Sequence, residues 1–139
     1  MPNVTGILET ALYVEDVARS SAFYERVLGF RRILEEGDRL HALAVGDAPQ
    51  VLLLFRKGGT VRPVATEGGV IPPHDGDGNL HLAFAIPADS REEWERRLAE
   101  NGVEIESVVY PPRGGVSLYF RDPDGHVVEL ATPGLWEVY

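Results

Sequence analysis

The chain has no cysteine among its 139 residues. This excludes disulfides, thiolate metal sites and a cysteine nucleophile, and leaves any metal to imidazole, carboxylate or water. Long apolar runs are also missing. The longest, Val51-Leu52-Leu53-Leu54-Phe55, falls far short of the roughly 20 residues needed by a membrane-spanning helix. Met1-Pro2-Asn3 begins no basic-then-apolar leader, so a cytoplasmic protein with no membrane partner is expected. Positive charge is scarce: 13 Lys and Arg stand against 22 Asp and Glu, a net charge of −9. Such a field repels phosphate backbones, so nucleic acid is not an expected partner. The short groups Arg31-Arg32 and Arg96-Arg97 read as solvated faces.

With 44% hydrophobic and 25% charged residues, the composition is that of one compact globular domain over residues 1–139. Its order is legible from local patterns. Ile7 to Val14 has a strand's β-branched and aromatic content, Asp16 is a plausible N-cap, Phe23, Val27 and Leu28 supply a helix stripe, and Gly29 ends that helix. Phe30 to Glu36, Leu40 to Val45 and Gln50 to Phe55 then read as strands separated by turn residues.

The second half repeats the order. A strand at Leu80 to Ile86 precedes the capping box Ser90-Arg91-Glu92-Glu93, and Trp94 and Leu98 face inward on the helix it opens, which Asn101-Gly102 closes. Strands follow at Val103 to Val109, Val116 to Arg121 and, past the turn Asp122-Pro123-Asp124-Gly125, His126 to Thr132. The chain is therefore a βαβββ module written twice, over 7–55 and 80–132, with a tail over 133–139. Between the modules, residues 56–79 are rich in Gly and Pro and predict no regular element, so they form a crossover linker or a loop over a site.

Laid over each other, the modules set Glu9 opposite His81, whereas Glu129 meets apolar residues around Leu53. Period-two alternation puts Glu9, Ala11 and Tyr13 on one face of the first strand, His81, Ala83 and Ala85 on one face of the fifth, and Val127, Glu129 and Ala131 on one face of the last. The opposite faces carry Leu8, Leu12 and Val14; Leu82, Phe84 and Ile86; Val128 and Leu130. The bulky faces suit packing against helices, and the alanine-lined ionisable faces leave room for a cavity. Three ionisable groups inside apolar strands are costly unless they share a partner. A divalent ion bound by two carboxylates and one imidazole provides one, and a Glu–His–Glu hydrogen-bond cluster is the alternative that spacing leaves open.

"LYVEDVARSSAFYERVLGF" (Leu12 to Phe30), the His81 strand and "LYFRDPDGHVVEL" (Leu118 to Leu130) closely resemble the vicinal oxygen chelate superfamily, which includes glyoxalase I, extradiol dioxygenases, fosfomycin-resistance enzymes and bleomycin-resistance proteins. The resemblance spans Ile7 to Thr132. It implies an α+β fold in which two βαβββ modules form a cupped mixed sheet, and metal ligands at Glu9, His81 and Glu129. The cofactor it implies is a divalent Fe, Mn, Ni, Co or Zn. Most members have histidine at the Glu9 position, and glyoxalase I has a fourth ligand where this chain has only Leu52, Leu53 and their neighbours.

Two carboxylates favour Lewis-acid lyase or isomerase chemistry over Fe(II) oxygen activation, with an extradiol-type dioxygenase as a further option. In that reading Glu9 and Glu129 are catalytic as well as ligating, either carboxylate acting as base. "SLYFRDPDGH" resembles the fosfomycin-resistance enzymes, which implies a substrate contact for Tyr119. Tyr13, on the Glu9 face, and His74, in the linker sequence "IPPHDGDG", are the other expected contacts with a small-molecule substrate. His41 and His126 read as structural. Trp136 and Tyr139 in the tail suit docking on a second subunit, and the resemblance implies a homodimer. The alternative from another functional class is a metal-free protein of the bleomycin-resistance type that sequesters a small molecule.

Overall fold

The computed structural model describes residues 1–139 and divides into two compact units, Met1–Gly78 and Asn79–Tyr139. Unit one contains β1 (Glu9–Val14), α1 (Val17–Leu28), β2 (Arg31–Glu36), β3 (Leu40–Ala44), β4 (Val51–Arg56), β5 (Val64–Thr66) and β6 (Gly69–Ile71). Unit two contains β7 (His81–Ala85), α2 (Arg91–Glu100), β8 (Ser107–Val109), β9 (Ser117–Arg121) and β10 (Val127–Ala131). The two four-stranded sheets have the same mixed topology, β1-β4-β3-β2 and β7-β10-β9-β8. In each, the first strand runs parallel to the last and the other neighbours are antiparallel. The fold is α+β, as the repeated pattern predicts.

Local chemistry explains α1. The Asp16 carboxylate accepts the Arg19 N–H at 3.0 Å, satisfying one of the donors that every helix start leaves open. Gly29 adopts φ 73°, the left-handed region that is open to glycine, and its N–H returns to the Glu25 carbonyl at 3.1 Å. Phe23, Tyr24, Val27 and Leu28 are buried together with Leu12, Val14, Leu43, Leu52 and Leu54, which makes this the core of unit one. In unit two the core is Leu118, Phe120, Val128 and Leu130 with Leu98 of α2.

Four elements depart from the sequence pattern. The linker carries the β5–β6 hairpin around Glu67-Gly68, held by Val64↔Ile71 pairing and by the Thr66 hydroxyl on the Gly69 carbonyl at 2.8 Å. Ser90 caps nothing with its side chain; its hydroxyl donates instead to the Pro87 carbonyl at 2.7 Å, so the capping box is not formed. The predicted strand at Val103 to Val109 shrinks to β8, because only its last three residues pair with β9. The strand beginning at Ile7 starts instead at Glu9, leaving Ile7 and Leu8 exposed before the ladder begins.

The histidine strand is also less buried than its composition predicts. β7 is the edge of its sheet and α2 buries only Leu98, so Leu82, Phe84 and Trp94 are half-buried and the His81, Ala83, Ala85 face is exposed. Tyr139 lies on its own unit, where its hydroxyl reaches the Ile86 and Ala131 carbonyls at 3.1 and 2.9 Å, while Trp136 stays exposed. No helix is long and apolar enough to cross a membrane.

A two-pronged ion pair ties the end of α1 to β2. Arg32 Nε and Nη2 meet the two Glu25 oxygens at 2.9 and 3.0 Å, and Arg32 Nη1 meets Glu35 at 2.8 Å. The hydrogen bond from Arg32 outweighs burial and holds the Glu25 carboxyl below its ordinary value of 4.5. A carboxylate with a depressed folded-state pKa stabilises the fold above its unfolded pKa and loses that contribution as pH falls through the lower folded value. Glu25→Gln is expected to lower stability at pH 7 by about 0.5–1 kcal/mol, discounted for its partial exposure. The gap between variant and parent should narrow below about pH 4.5, and urea midpoints at pH 7 and pH 3.5 check both statements.

Candidate functional site

Unit two brings His81 and Glu129 together. Parallel register sets Ala83 opposite Glu129 and His81 opposite Val127, so the two side chains emerge on one face of adjacent strands. His81 Nε2 lies 3.2 Å from Glu129 Oε2. The entry to β10 is braced by Asp122, whose Oδ1 accepts the N–H groups of Asp124 and His126 at 2.9 Å each. His126 is 1% exposed and its Nδ1 accepts the Leu80 N–H at 2.9 Å, which locks the start of β7 to the turn before β10. His126 is thereby a brace.

Proton counting shows what the pair lacks. His81 Nδ1 lies 3.1 Å from the Val127 carbonyl, and a carbonyl only accepts, so Nδ1 carries the hydrogen. The lone pair of a neutral Nε2 then faces a carboxylate oxygen, which is repulsive unless a second proton or a cation stands there. Glu129 is only 3% exposed and its other oxygen, Oε1, is buried without a hydrogen-bond partner. A buried carboxylate oxygen in that state is costly. A divalent ion removes both defects, and the observed 3.2 Å is close to the roughly 3.0–3.4 Å separating neighbouring ligands with bonds of about 2.1 Å. An imidazole anchored through its other N–H to a carbonyl is also the usual arrangement of a ligating histidine. The residues present fit a metal.

Tyr119 pairs with Glu129 across β9 and β10, and its ring stacks on His81 with centroids 6.1 Å apart. Burial, and then the Glu129 carboxylate beside it, raise the Tyr119 phenol above its ordinary pKa of 10. It therefore stays protonated at neutral pH.

Unit one carries Glu9 and His74 around a cavity of about 470 Å3. Glu9 and Ala11 of β1, Leu53 and Phe55 of β4, and Leu40 of β3 form its floor, and Val64, Thr66 and Ile71 of the β5–β6 hairpin, with Pro72 and His74 after it, form a wall. Glu9 is exposed, and within unit one no cluster of three His, Asp or Glu gathers around it; none gathers around the His81–Glu129 pair within unit two. Arg39, ion-paired with Glu36 and set 5.9 Å over the Phe55 ring, lines the cavity with Arg62. Tyr13 is 5% exposed, and its hydroxyl is taken up by Thr60 at 3.0 Å and by His74 Nδ1. Sequence reasoning did not single out Thr60, Phe55, Arg39 or Arg62, because no local pattern marks residues gathered by a hairpin folded over a sheet face.

The family description Glyoxalase/Bleomycin resistance protein/Dioxygenase superfamily matches residues 6–130. The chain is 31% identical over 129 residues to the lactoylglutathione lyase of Salmonella typhimurium, covering 89% of this chain and 90% of that one. It is 32% identical over 120 residues to the metallothiol transferase FosB of Staphylococcus saprophyticus, covering 86% and 71%. The crystal structure of lactoylglutathione lyase from Agrobacterium tumefaciens matches with a TM-score of 0.87 at 31% identity, covering 98% and 99% of the two chains.

Just after His74 the chain makes a close approach at Gly76, where an added Cβ would sit 2.5 and 2.6 Å from Cδ2 and Cε2 of the buried Tyr13 ring. The ring is packed against Phe55 and has little room to retreat. Gly76→Ala is expected to cost about 1–3 kcal/mol or to displace the segment bearing His74. Thermal denaturation and the His74 ring resonances report the two outcomes.

Proposed function

We propose, from the premise that this chain belongs to the glyoxalase/bleomycin resistance protein/dioxygenase superfamily, that it is a divalent-metal-dependent enzyme acting on a small molecule with two neighbouring oxygens. The family resemblance names Glu9, His81 and Glu129 as the residues that would hold the ion, and of these His81 and Glu129 meet within unit two. One observation carries the reading: His81 presents Nε2 to Glu129 while Glu129 Oε1 is buried without a partner. When bound, the ion supplies Lewis-acid stabilisation of negative charge on a substrate oxygen.

The chain's own groups do the remaining work. Of the two carboxylates, the exposed Glu9 is the one open to take a proton, and the buried Glu129 is the second candidate base. Tyr119, held protonated, donates its O–H to a substrate oxygen. Within unit one, His74 and the apolar cavity floor are the surfaces offered to a small molecule. The two carboxylates favour lyase or isomerase chemistry over oxygen activation. The names of the relatives, a lactoylglutathione lyase and a metallothiol transferase, support that choice. A cytoplasmic homodimer is the expected form.

Elemental mass spectrometry of tag-free protein purified without chelators should find about one ion per chain, as three ligands with open positions predict. His81→Ala should abolish binding of added Mn, Fe, Co, Ni and Zn. Because the His81 side chain is 52% exposed, the same variant should keep its fold within about 1 kcal/mol. Unchanged metal affinity in the variant overturns the ligand assignment. Wild-type protein that refuses all five metals instead supports a sequestering protein of the bleomycin-resistance type. Oxygen uptake with catechol by iron-loaded protein would transfer the proposal to an extradiol-type dioxygenase.

A further inference from the structure

Three polar groups in unit one close a ring whose protons can be counted. The Thr60 hydroxyl donates to the His74 carbonyl at 2.5 Å, and a carbonyl has no proton to return. Thr60 has only that one proton, so in its 3.0 Å contact with the Tyr13 hydroxyl it accepts and Tyr13 donates. Tyr13 has then used its own proton, so in its contact with His74 Nδ1 the donor is the imidazole. Backbone pairing of the His74 N–H with the Thr60 carbonyl at 3.0 Å holds the ring closed. The direction of every bond follows: Nδ1–H of His74 to Tyr13, Tyr13 to Thr60, and Thr60 to the carbonyl of His74.

This arrangement selects the tautomer. Neutral histidine in water prefers its proton on Nε2, whereas the ring places it on Nδ1 and leaves a lone pair on Nε2. The imidazole plane is fixed by edge contacts with Phe55, at 5.1 Å and 70°, and with Tyr13, at 6.1 Å and 69°. Nε2 has no hydrogen bond from the protein, and His74 lines the same cavity as Glu9. The charged groups facing that cavity are Glu9, Glu36, Arg39 and Arg62; Arg39 is paired with Glu36, and Arg62 has no ion-pair partner.

We propose that His74 serves the cavity of unit one as a base of fixed tautomer, with its Nε2 lone pair directed at a hydroxyl of the bound substrate and with Tyr13 and Thr60 as the positioning residues that hold it there. The substrate class this selects has an apolar body to lie on Leu53 and Phe55 and an O–H donor to meet Nε2. His74 takes the hydroxyl proton, becomes an imidazolium and returns the same proton on product release, so the step balances without a further reactant. The inference rests on the reading that the cavity beside Glu9 receives substrate, and adds to it the residue that deprotonates a hydroxyl there.

The test reads the tautomer directly by long-range 1H–15N correlation of the histidine rings in metal-free protein at pH 8, with the His74 signals assigned from a His74→Asn variant. Wild type is expected to show Nδ1 protonated and Nε2 bare, and added catechol, an apolar ring with two O–H donors, should shift the Nε2 resonance saturably. Tyr13→Phe removes the acceptor for Nδ1–H. Thr60→Val leaves the Tyr13 proton no acceptor but Nδ1. Both variants should exchange the two nitrogen shifts, moving the proton to Nε2, and either one suffices if the other does not fold. A wild-type ring protonated on Nε2, a folded variant with an unchanged tautomer, or an Nε2 resonance indifferent to catechol each overturns the proposal. Repeating the measurement in His81→Ala separates this inference from the metal reading, since the His74 pattern should persist where metal binding is lost.

Discussion

Parallel pairing of the first and last strands in each module is the constraint on which the rest of the structure depends. It joins strands distant in sequence, β1 to β4 and β7 to β10, in the same register, so that Ala11 faces Leu53 in one module as Ala83 faces Glu129 in the other. A strand's period of two then decides which side chains share a face. In unit two that face gathers His81 and Glu129; in unit one the same positions hold Glu9 and Leu53, one ionisable group on an apolar floor. Identical backbone pairing thus produces a ligand pair in one module and a cavity in the other.

The chemistry follows from unsatisfied valence. Packed interiors leave few buried polar atoms without partners, and Glu129 Oε1 is one, beside an imidazole nitrogen that anchoring to a carbonyl leaves as a lone pair. In unit one the opposite condition holds, for Tyr13, Thr60 and His74 satisfy one another in a closed ring and leave only His74 Nε2 unspent. Both arrangements direct an electron-rich nitrogen outward by occupying its ring partner inside. The first suits a cation and the second suits a proton.

The helices are unequal partners in this. α1 is capped at both ends and buries a full stripe, while α2 lacks its side-chain cap and buries only Leu98. The difference shows in the sheets: β7 presents a half-buried Phe84 where the corresponding residue of β1, Leu12, is fully packed.

What the sequence by itself determined is everything set by local rules. The Asp16 and Gly29 caps, the strand periodicity, the duplication of the βαβββ order and the placement of Glu9, His81 and Glu129 on alanine-bearing faces are all read from residues within a few positions of one another. The superfamily was legible for the same reason, since its motifs are runs within single strands and turns. Tertiary structure alone decided the β5–β6 hairpin in a segment that lacks periodicity, the approach of Gly76 to the Tyr13 ring, the return of Tyr139 to its own sheet, and the direction of the protons in the Tyr13–Thr60–His74 ring. Apart from the hairpin, whose partners lie 3 to 7 residues apart, these contacts span from 8 to 63 residues of sequence. No propensity of a residue for its neighbours encodes them, and they exist only because the sheet has already brought their partners within hydrogen-bonding reach.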